Sequence, residues 1–162
     1  MFREMRRKKQ QLSADRVEEI LARRTCGTLA VLGDEGYPYA VPLSYVYHKG
    51  RIYFHCAKSG HKLDAIRACD KASFCVIDQD EVVPAEFTTY FRSVIVFGRA
   101  REVSDPEELM DAMKALSAKY SPKESEDSFR IEMKVSKANL CVLALDIEHK
   151  TGKEAKELVK MD

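Results

Sequence analysis

The stretch Tyr39-Ala40-Val41-Pro42-Leu43-Ser44-Tyr45-Val46-Tyr47-His48-Lys49-Gly50-Arg51-Ile52-Tyr53-Phe54-His55-Cys56-Ala57 decides the architecture. Residues 39–47 and 51–57 are rich in β-branched and aromatic side chains, and His48-Lys49-Gly50 between them reads as a tight turn. Strands joined by so short a turn run antiparallel, because a parallel pair needs a crossover of a dozen or more residues. A doubly wound sheet, in which strand and helix alternate along the chain, is therefore disfavoured.

Working upstream, residues 27–32 read as a strand, and Gly33-Asp34-Glu35-Gly36 links it to the next as a hairpin. Ser13 ahead of Val17, Ile20 and Leu21, with Arg23-Arg24 at the far end, predicts a helix over 14–24. Downstream, the period changes from two to about 3.6 in Ser59-Gly60-His61-Lys62-Leu63-Asp64-Ala65-Ile66-Arg67-Ala68-Cys69, a short helix that starts where a strand ends. Strands follow at 72–77 and 90–103, with Gly98 marking a bulge or a close backbone approach.

Asp105-Pro106-Glu107-Glu108 supplies a cap, a first-turn proline and early negative charge for a helix whose Leu109, Met113, Leu116 and Tyr120 form a core-facing stripe. Residues 121–125 read as a loop. Phe129, Ile131, Met133 and Val135 alternate as in a strand, but a helix fits residues 128–135 as well. The last strand is expected at 140–147. Five or six short strands with helices at the ends and between predict a mainly β (α+β) antiparallel barrel with peripheral helices.

The chain has 162 residues, 45% apolar and 33% charged, which fits one domain over 1–162 with a basic arm at 1–12. A net charge of +1 gives no overall field to gather nucleic acid or a membrane surface. Arg3, Arg6, Arg7, Lys8 and Lys9 read as a solvated arm that packs on a partner subunit. Cys26, Cys56, Cys69, Cys75 and Cys141 are odd in number, never spaced Cys-x-x-Cys, and read as reduced core residues. No apolar run reaches membrane-span length and no secretory signal precedes the arm, so a reducing cytoplasm is expected. His48 and His149 look solvated. No paired His or Cys spacing suggests a metal.

Candidate chemistry gathers where residues 51–57 meet the helix at 61. Unpaired N–H groups at a helix start favour an anion, and Ser59, His61 and Lys62 add a hydroxyl, an imidazole and an ammonium. Gly60 removes side-chain bulk there. The same pattern also suits a purely structural turn. His55, on the same strand face as Tyr53 and Ala57, is either a structural or a functional histidine. Pro42 interrupts an apolar strand, which implies an edge or a bend and leaves backbone groups near Leu43 and Ser44 for a ligand. No Ser-His-Asp set, P-loop or Gly-x-Gly-x-x-Gly turn is present.

Met5-Arg6-Arg7, Gly36-Tyr37-Pro38-Tyr39-Ala40-Val41-Pro42-Leu43-Ser44-Tyr45, Ile52-Tyr53-Phe54-His55-Cys56-Ala57, Gly60-His61-Lys62-Leu63-Asp64, Arg92-Ser93-Val94-Ile95-Val96-Phe97-Gly98-Arg99-Ala100 and Ile147-Glu148-His149-Lys150-Thr151-Gly152-Lys153 carry a resemblance. Together they resemble the nitroimidazole-resistance (Nim) branch of the pyridoxamine 5'-phosphate oxidase-like, FMN-binding split-barrel superfamily over nearly the whole chain. The resemblance implies a split β-barrel homodimer with FMN at the subunit interface. It implies that Pro42, Leu43 and Ser44 line the isoalloxazine, that Ser59, Gly60, His61 and Lys62 hold the ribityl phosphate, that His55 and Ala57 are among the cofactor-binding residues, and that Ser93 and Val94 complete the pocket. His55 matches the histidine that such proteins carry close to the flavin, a candidate for proton donation or substrate positioning. Cys56 departs from the pattern, where Gly or Ser is frequent. The activity implied is NAD(P)H-dependent reduction of a small acceptor such as a 5-nitroimidazole or a nitroaromatic compound. The alternative on the same barrel is non-catalytic binding of a flavin, a deazaflavin or haem.

Overall fold

Ser13 accepts the backbone N–H of Arg16 at 3.3 Å, and Val17, Ile20 and Leu21 behind that cap are buried, so helix α1 forms over Ala14–Arg23. The computed structural model describes residues 1–136 and 138–160. Strands β1 (Cys26–Leu32), β2 (Pro38–Ser44), β3 (Val46–His48), β4 (Arg51–Ala57), β5 (Lys71–Val83), β6 (Thr88–Glu102) and β7 (Leu140–Glu154) form one antiparallel sheet in the order β2-β1-β5-β6-β7-β4-β3. Helices α2 (His61–Ala68), α3 (Pro106–Tyr120) and α4 (Glu126–Ser136) join them. Among the described residues, no helix is long and apolar enough to cross a membrane, and no three metal-ligating side chains cluster.

The strand expected over 39–47 is two strands. Pro42 lies on the edge strand β2, opposite Thr28 of β1, where its missing N–H leaves no central ladder bond unmade. After Tyr45 the chain changes partner: β3 pairs with β4, with Val46 opposite Tyr53. Strands β2 and β3 thus stand at opposite ends of the strand order while being joined through one residue, which curls the sheet into a barrel left open between them. Tyr45 fills that corner. It is fully buried, meets Phe74 edge-on at 5.0 Å, and donates its hydroxyl to Leu21 O at 2.8 Å.

Side-chain alternation along β4 separates two cores. Ile52 and Phe54 point into the barrel with Leu29, Phe74, Val94 and Leu143; Tyr53 points outward, where Val142 and Ala144 meet Ala112 and Leu116 of α3. Asp105 caps α3 through the N–H groups of Glu107 and Glu108, as its sequence predicts. Tyr120 departs from the expected stripe: the residue is 39% exposed, and its hydroxyl bonds the backbone of Tyr45.

The last three strands outrun their apolar runs. The β5–β6 hairpin continues past a bulge between Ile77 and Gln79 out to Val83 opposite Thr88, and β7 continues through 148–154 opposite β6. The outer hairpin is exposed or half-buried without alternation, so no burial imposes a period of two there. Gly98 is both things expected of it: β6 bulges against β7 at Phe97/Gly98, and a Cβ on Gly98 would sit 2.1 Å from the Asp146 carbonyl oxygen. Residues 128–135 resolve as helix, with Ser125 Oγ accepting the N–H of Ser128 at 3.1 Å near its start.

Two further expectations are corrected. Of the five cysteines, all free, Cys141 is buried and Cys56 is half-buried against the barrel core, whereas Cys26 is exposed and Cys69 and Cys75 are half-buried. His149 is half-buried, stacked at 4.8 Å under Phe2, with its Nε2 buried and unpaired; His48 bonds Asp111 at 2.9 Å. The basic side chains of the arm are exposed, as expected, while Gln10 and Leu12 at its end are buried and the Leu12 N–H reaches Gly152 O at 3.0 Å.

Candidate functional site

The passage from β4 to α2 depends on a backbone that only glycine adopts freely. Gly60 has φ 132° and ψ 164°, a region closed to residues with a Cβ. A Cβ there would meet nothing within 4 Å, so the requirement is conformational and the turn faces open space. Gly60 offers no side chain to cap α2. Its carbonyl takes the N–H groups of Leu63 at 2.9 Å and Asp64 at 3.2 Å, which leaves the N–H groups of His61 and Lys62 without intrahelical partners. With the helix dipole behind them, these donors make a place for an anion.

Ser59 is exposed beside this turn and Lys62 is half-buried. Burial raises the pKa of the Cys56 thiol, and the Lys62 ammonium works against that rise. Cys56 faces Cys141 directly across β4 and β7, and burial pushes the Cys141 thiol up to about 12. His61 is engaged elsewhere: its ring stacks on Tyr39 at 4.1 Å and its Nε2 lies 3.6 Å from Asp34, so it offers the turn its main-chain N–H.

His55 and Ala57 are exposed on the outward face of β4, opposite Val142 and Leu140 of β7. Carrying the Val46–Tyr53 register on by two residues would set Ser44 against His55, but the chain turns at Tyr45 and β2 leaves to pair with β1. The mouth of the split is therefore bordered by Pro42, Leu43 and Ser44 on one side and by His55 and Ala57 on the other. Pro42 and Ser44 are exposed, while Leu43 packs against the barrel core.

Ser93 and Val94 are not brought to this mouth within one chain. The Val94 side chain is fully buried in the barrel and its backbone lies in the ladders with β5 and β7. Ser93 is half-buried on the outer face of β6 between Ile77 and Lys153, with β1 and β5 separating it from β2 by roughly 14 Å of strand spacing. The same outer face exposes Ile77, Ile95 and Phe97.

Two features were not read from the sequence. Lys119 donates to the carbonyl of Arg24 and lies 4.4 Å over the Tyr45 ring, and burial lowers its pKa to about 8. Asp78, in the bulge of β5, is buried among Arg23 Nη2 at 2.6 Å, Arg24 Nε at 2.6 Å and Arg92 Nη1 at 3.6 Å. The Arg23-Arg24 pair at the end of α1 was the available signal, but its acidic partner lies more than fifty residues away in sequence.

The family model described as pyridoxamine 5'-phosphate oxidase matches residues 13–154. No curated protein sequence matches the chain. Among solved structures, a Bacteroides thetaiotaomicron protein named for 5-nitroimidazole antibiotic resistance is 20% identical, with a TM-score of 0.71 over 89% of this chain and 86% of that one. A FAD-binding protein of Mesorhizobium loti is 25% identical, with a TM-score of 0.64 over 91% and 98%. A FAD- and haem-binding protein of Mycobacterium smegmatis is 21% identical, with a TM-score of 0.72 over 91% and 74%.

Proposed function

Since the chain belongs to the pyridoxamine 5'-phosphate oxidase family, with the split β-barrel fold to match, we propose that it is a flavin-binding oxidoreductase that works as a homodimer. The observation that carries this reading is the uncapped α2 start at Gly60, open to space and set beside the mouth between β2 and β4. The likeness to the FAD-binding protein of M. loti supports a flavin, and the resemblance of the sequence to FMN-binding split barrels supports FMN as that flavin.

In this reading the N–H groups of His61 and Lys62, the Ser59 hydroxyl and the Lys62 ammonium hold the phosphate. Pro42, Leu43 and Ser44, with Ala57 opposite, border the ring, and the free backbone edge of β2 supplies donors and acceptors. A bound flavin supplies two-electron transfer from a reduced nicotinamide to a small acceptor, with a 5-nitroimidazole or nitroaromatic compound as the acceptor class. His55, exposed at the mouth, gives or takes the accompanying proton. The apolar outer face at Ile77, Ile95 and Phe97 is where a second copy packs, which brings Ser93 and the Val94 backbone of one chain toward the mouth of its partner.

The test is the absorbance spectrum of the purified protein, with its chromophore released and identified by mass spectrometry, followed by the rate of NADH and NADPH oxidation with a nitroimidazole present. Released FMN and turnover faster than free FMN are expected. A Soret band or a deazaflavin would replace the chemistry, bound flavin without turnover would leave a binding protein, and failure to reconstitute with any flavin would overturn the reading.

A further inference from the structure

Between α3, α4 and the first residues of β7 runs a groove of about 1420 Å³, larger than the ~300–1,000 Å³ of ordinary ligand pockets. It touches the β4–α2 turn only at Lys58 and contains none of the residues assigned above to the flavin. Val103, Leu140 and Val142 lie on the sheet side, and Leu109, Phe129 and Met133 on the helices.

Helix α4 buries none of its residues. Helices in proteins are held chiefly by packing an apolar face. The i, i+4 pair Phe129 and Met133 has such a face, and what it looks onto is the groove. An apolar body lying in the groove supplies the packing surface that the barrel does not.

The rim is charged with a bias. Five cationic and three acidic side chains line the groove. Glu102 is engaged by Arg67 at 2.7 Å and Glu126 by Arg130 at 3.8 Å; Lys114, Lys134 and Glu124 have no ion-pair partner among the described residues, so the rim keeps a net positive charge. The excess positive charge over apolar walls fits a molecule with a hydrophobic body and an anionic group.

We propose that this groove binds an elongated amphipathic organic anion, its aromatic or aliphatic body between Phe129, Met133 and Val142 and its carboxylate, sulfonate or phosphate answered by the rim lysines. The groove shares no lining residue with the flavin site but adjoins it, since Val142 and Leu140 stand opposite His55 and Ala57 across β7 and β4.

The test uses the full chain with whatever chromophore it carries and 1-anilinonaphthalene-8-sulfonate as probe, followed by calorimetry. One saturable site per chain is expected. The uncharged analogue lacking the sulfonate should bind at least about tenfold more weakly, as should the sulfonate to Met133→Glu and to the surface double variant Lys114→Glu/Lys134→Glu. Chromophore content and mass in solution should stay as in the parent. Absence of saturable binding, equal binding of the uncharged analogue, or binding unchanged in both variants would overturn the proposal. So would a change in oligomeric mass in Met133→Glu, which would make a second copy of this chain the occupant.

Discussion

The hydroxyl oxygen of Tyr120 accepts the backbone N–H of Tyr45 at 2.9 Å, and its own proton is directed at the Tyr45 and Thr25 carbonyls. The last residue of α3 thereby holds the one residue through which β2 and β3 part.

Tyr120→Phe keeps the ring and removes these bonds. A loss of about 1–2 kcal/mol is expected, with a lower urea midpoint and an unchanged m-value. A midpoint equal to that of the parent would show that the Tyr45 N–H is satisfied by its longer bond to Thr25 O at 3.3 Å.

Lys119 gives stability a specific pH dependence. Burial lowers its pKa to about 8 in the folded chain, whereas an unfolded lysine holds its proton to ~10.4. Between those values the unfolded state binds more protons, so this group's contribution to stability rises with pH from about 8 to about 10. Because Lys119 is only half-buried, the rise should be shallower than the ~1.4 kcal/mol per pH unit of one full proton. Denaturation midpoints at stepped pH should show that rise in the parent and not in Lys119→Met.

Asp78 is the acidic centre of three guanidinium groups. Burial raises its pKa, and the hydrogen bonds from Arg24 and Arg23 more than offset that, so it titrates below the usual carboxylate range. Its stabilisation is present above the unfolded value of ~3.9 and is lost as pH falls through the lower folded value. Asp78→Asn should cost about 3 kcal/mol at pH 7, and the gap from the parent should narrow toward pH 3 in urea titrations.

Gly98 and Gly60 are required for different reasons, and alanine separates them. Gly98→Ala sets a Cβ 2.1 Å from the Asp146 carbonyl oxygen, a backbone atom that cannot swing away, so loss of soluble folded protein is expected. Gly60→Ala meets no atom within 4 Å and bears only the backbone cost of about 1–3 kcal/mol. It should fold, with a circular dichroism spectrum like the parent's, and hold flavin more weakly.

Lys62→Ala removes a charge-assisted contact and should weaken FMN binding by about 1.5–3 kcal/mol, roughly 10- to 150-fold by fluorescence titration. His55→Ala should retain flavin and lose acceptor reduction. Release of flavin from His55→Ala would instead make His55 a binding residue.

Features carried by neighbouring residues are legible in the sequence. The Ser13 cap, the Val17-Ile20-Leu21 stripe, the Asp105-Pro106 helix start and the turn at His48-Lys49-Gly50 all appear where their chemistry points. Pro42 marks an edge, and Gly98 a bulge. Less legible are segments whose faces are not divided between oil and water. Phe129 to Val135 alternates like a strand yet folds as a helix that buries nothing, and the outer β5–β6 hairpin has no inner face to impose a period.

The order of residues by itself determined the antiparallel, mainly β class, the helix starts and the donor-rich turn at Ser59 to Lys62, because each rests on bonds and periodicities spanning a few residues. The tertiary structure alone decided the change of partner at Tyr45, the pairing of Arg23 and Arg24 with Asp78, the reach of Lys119 and Tyr120 to the split, and the separation of Ser93 from Ser44. These are contacts between residues far apart in the chain, and they exist only once burial in the barrel has brought their strands and helices together.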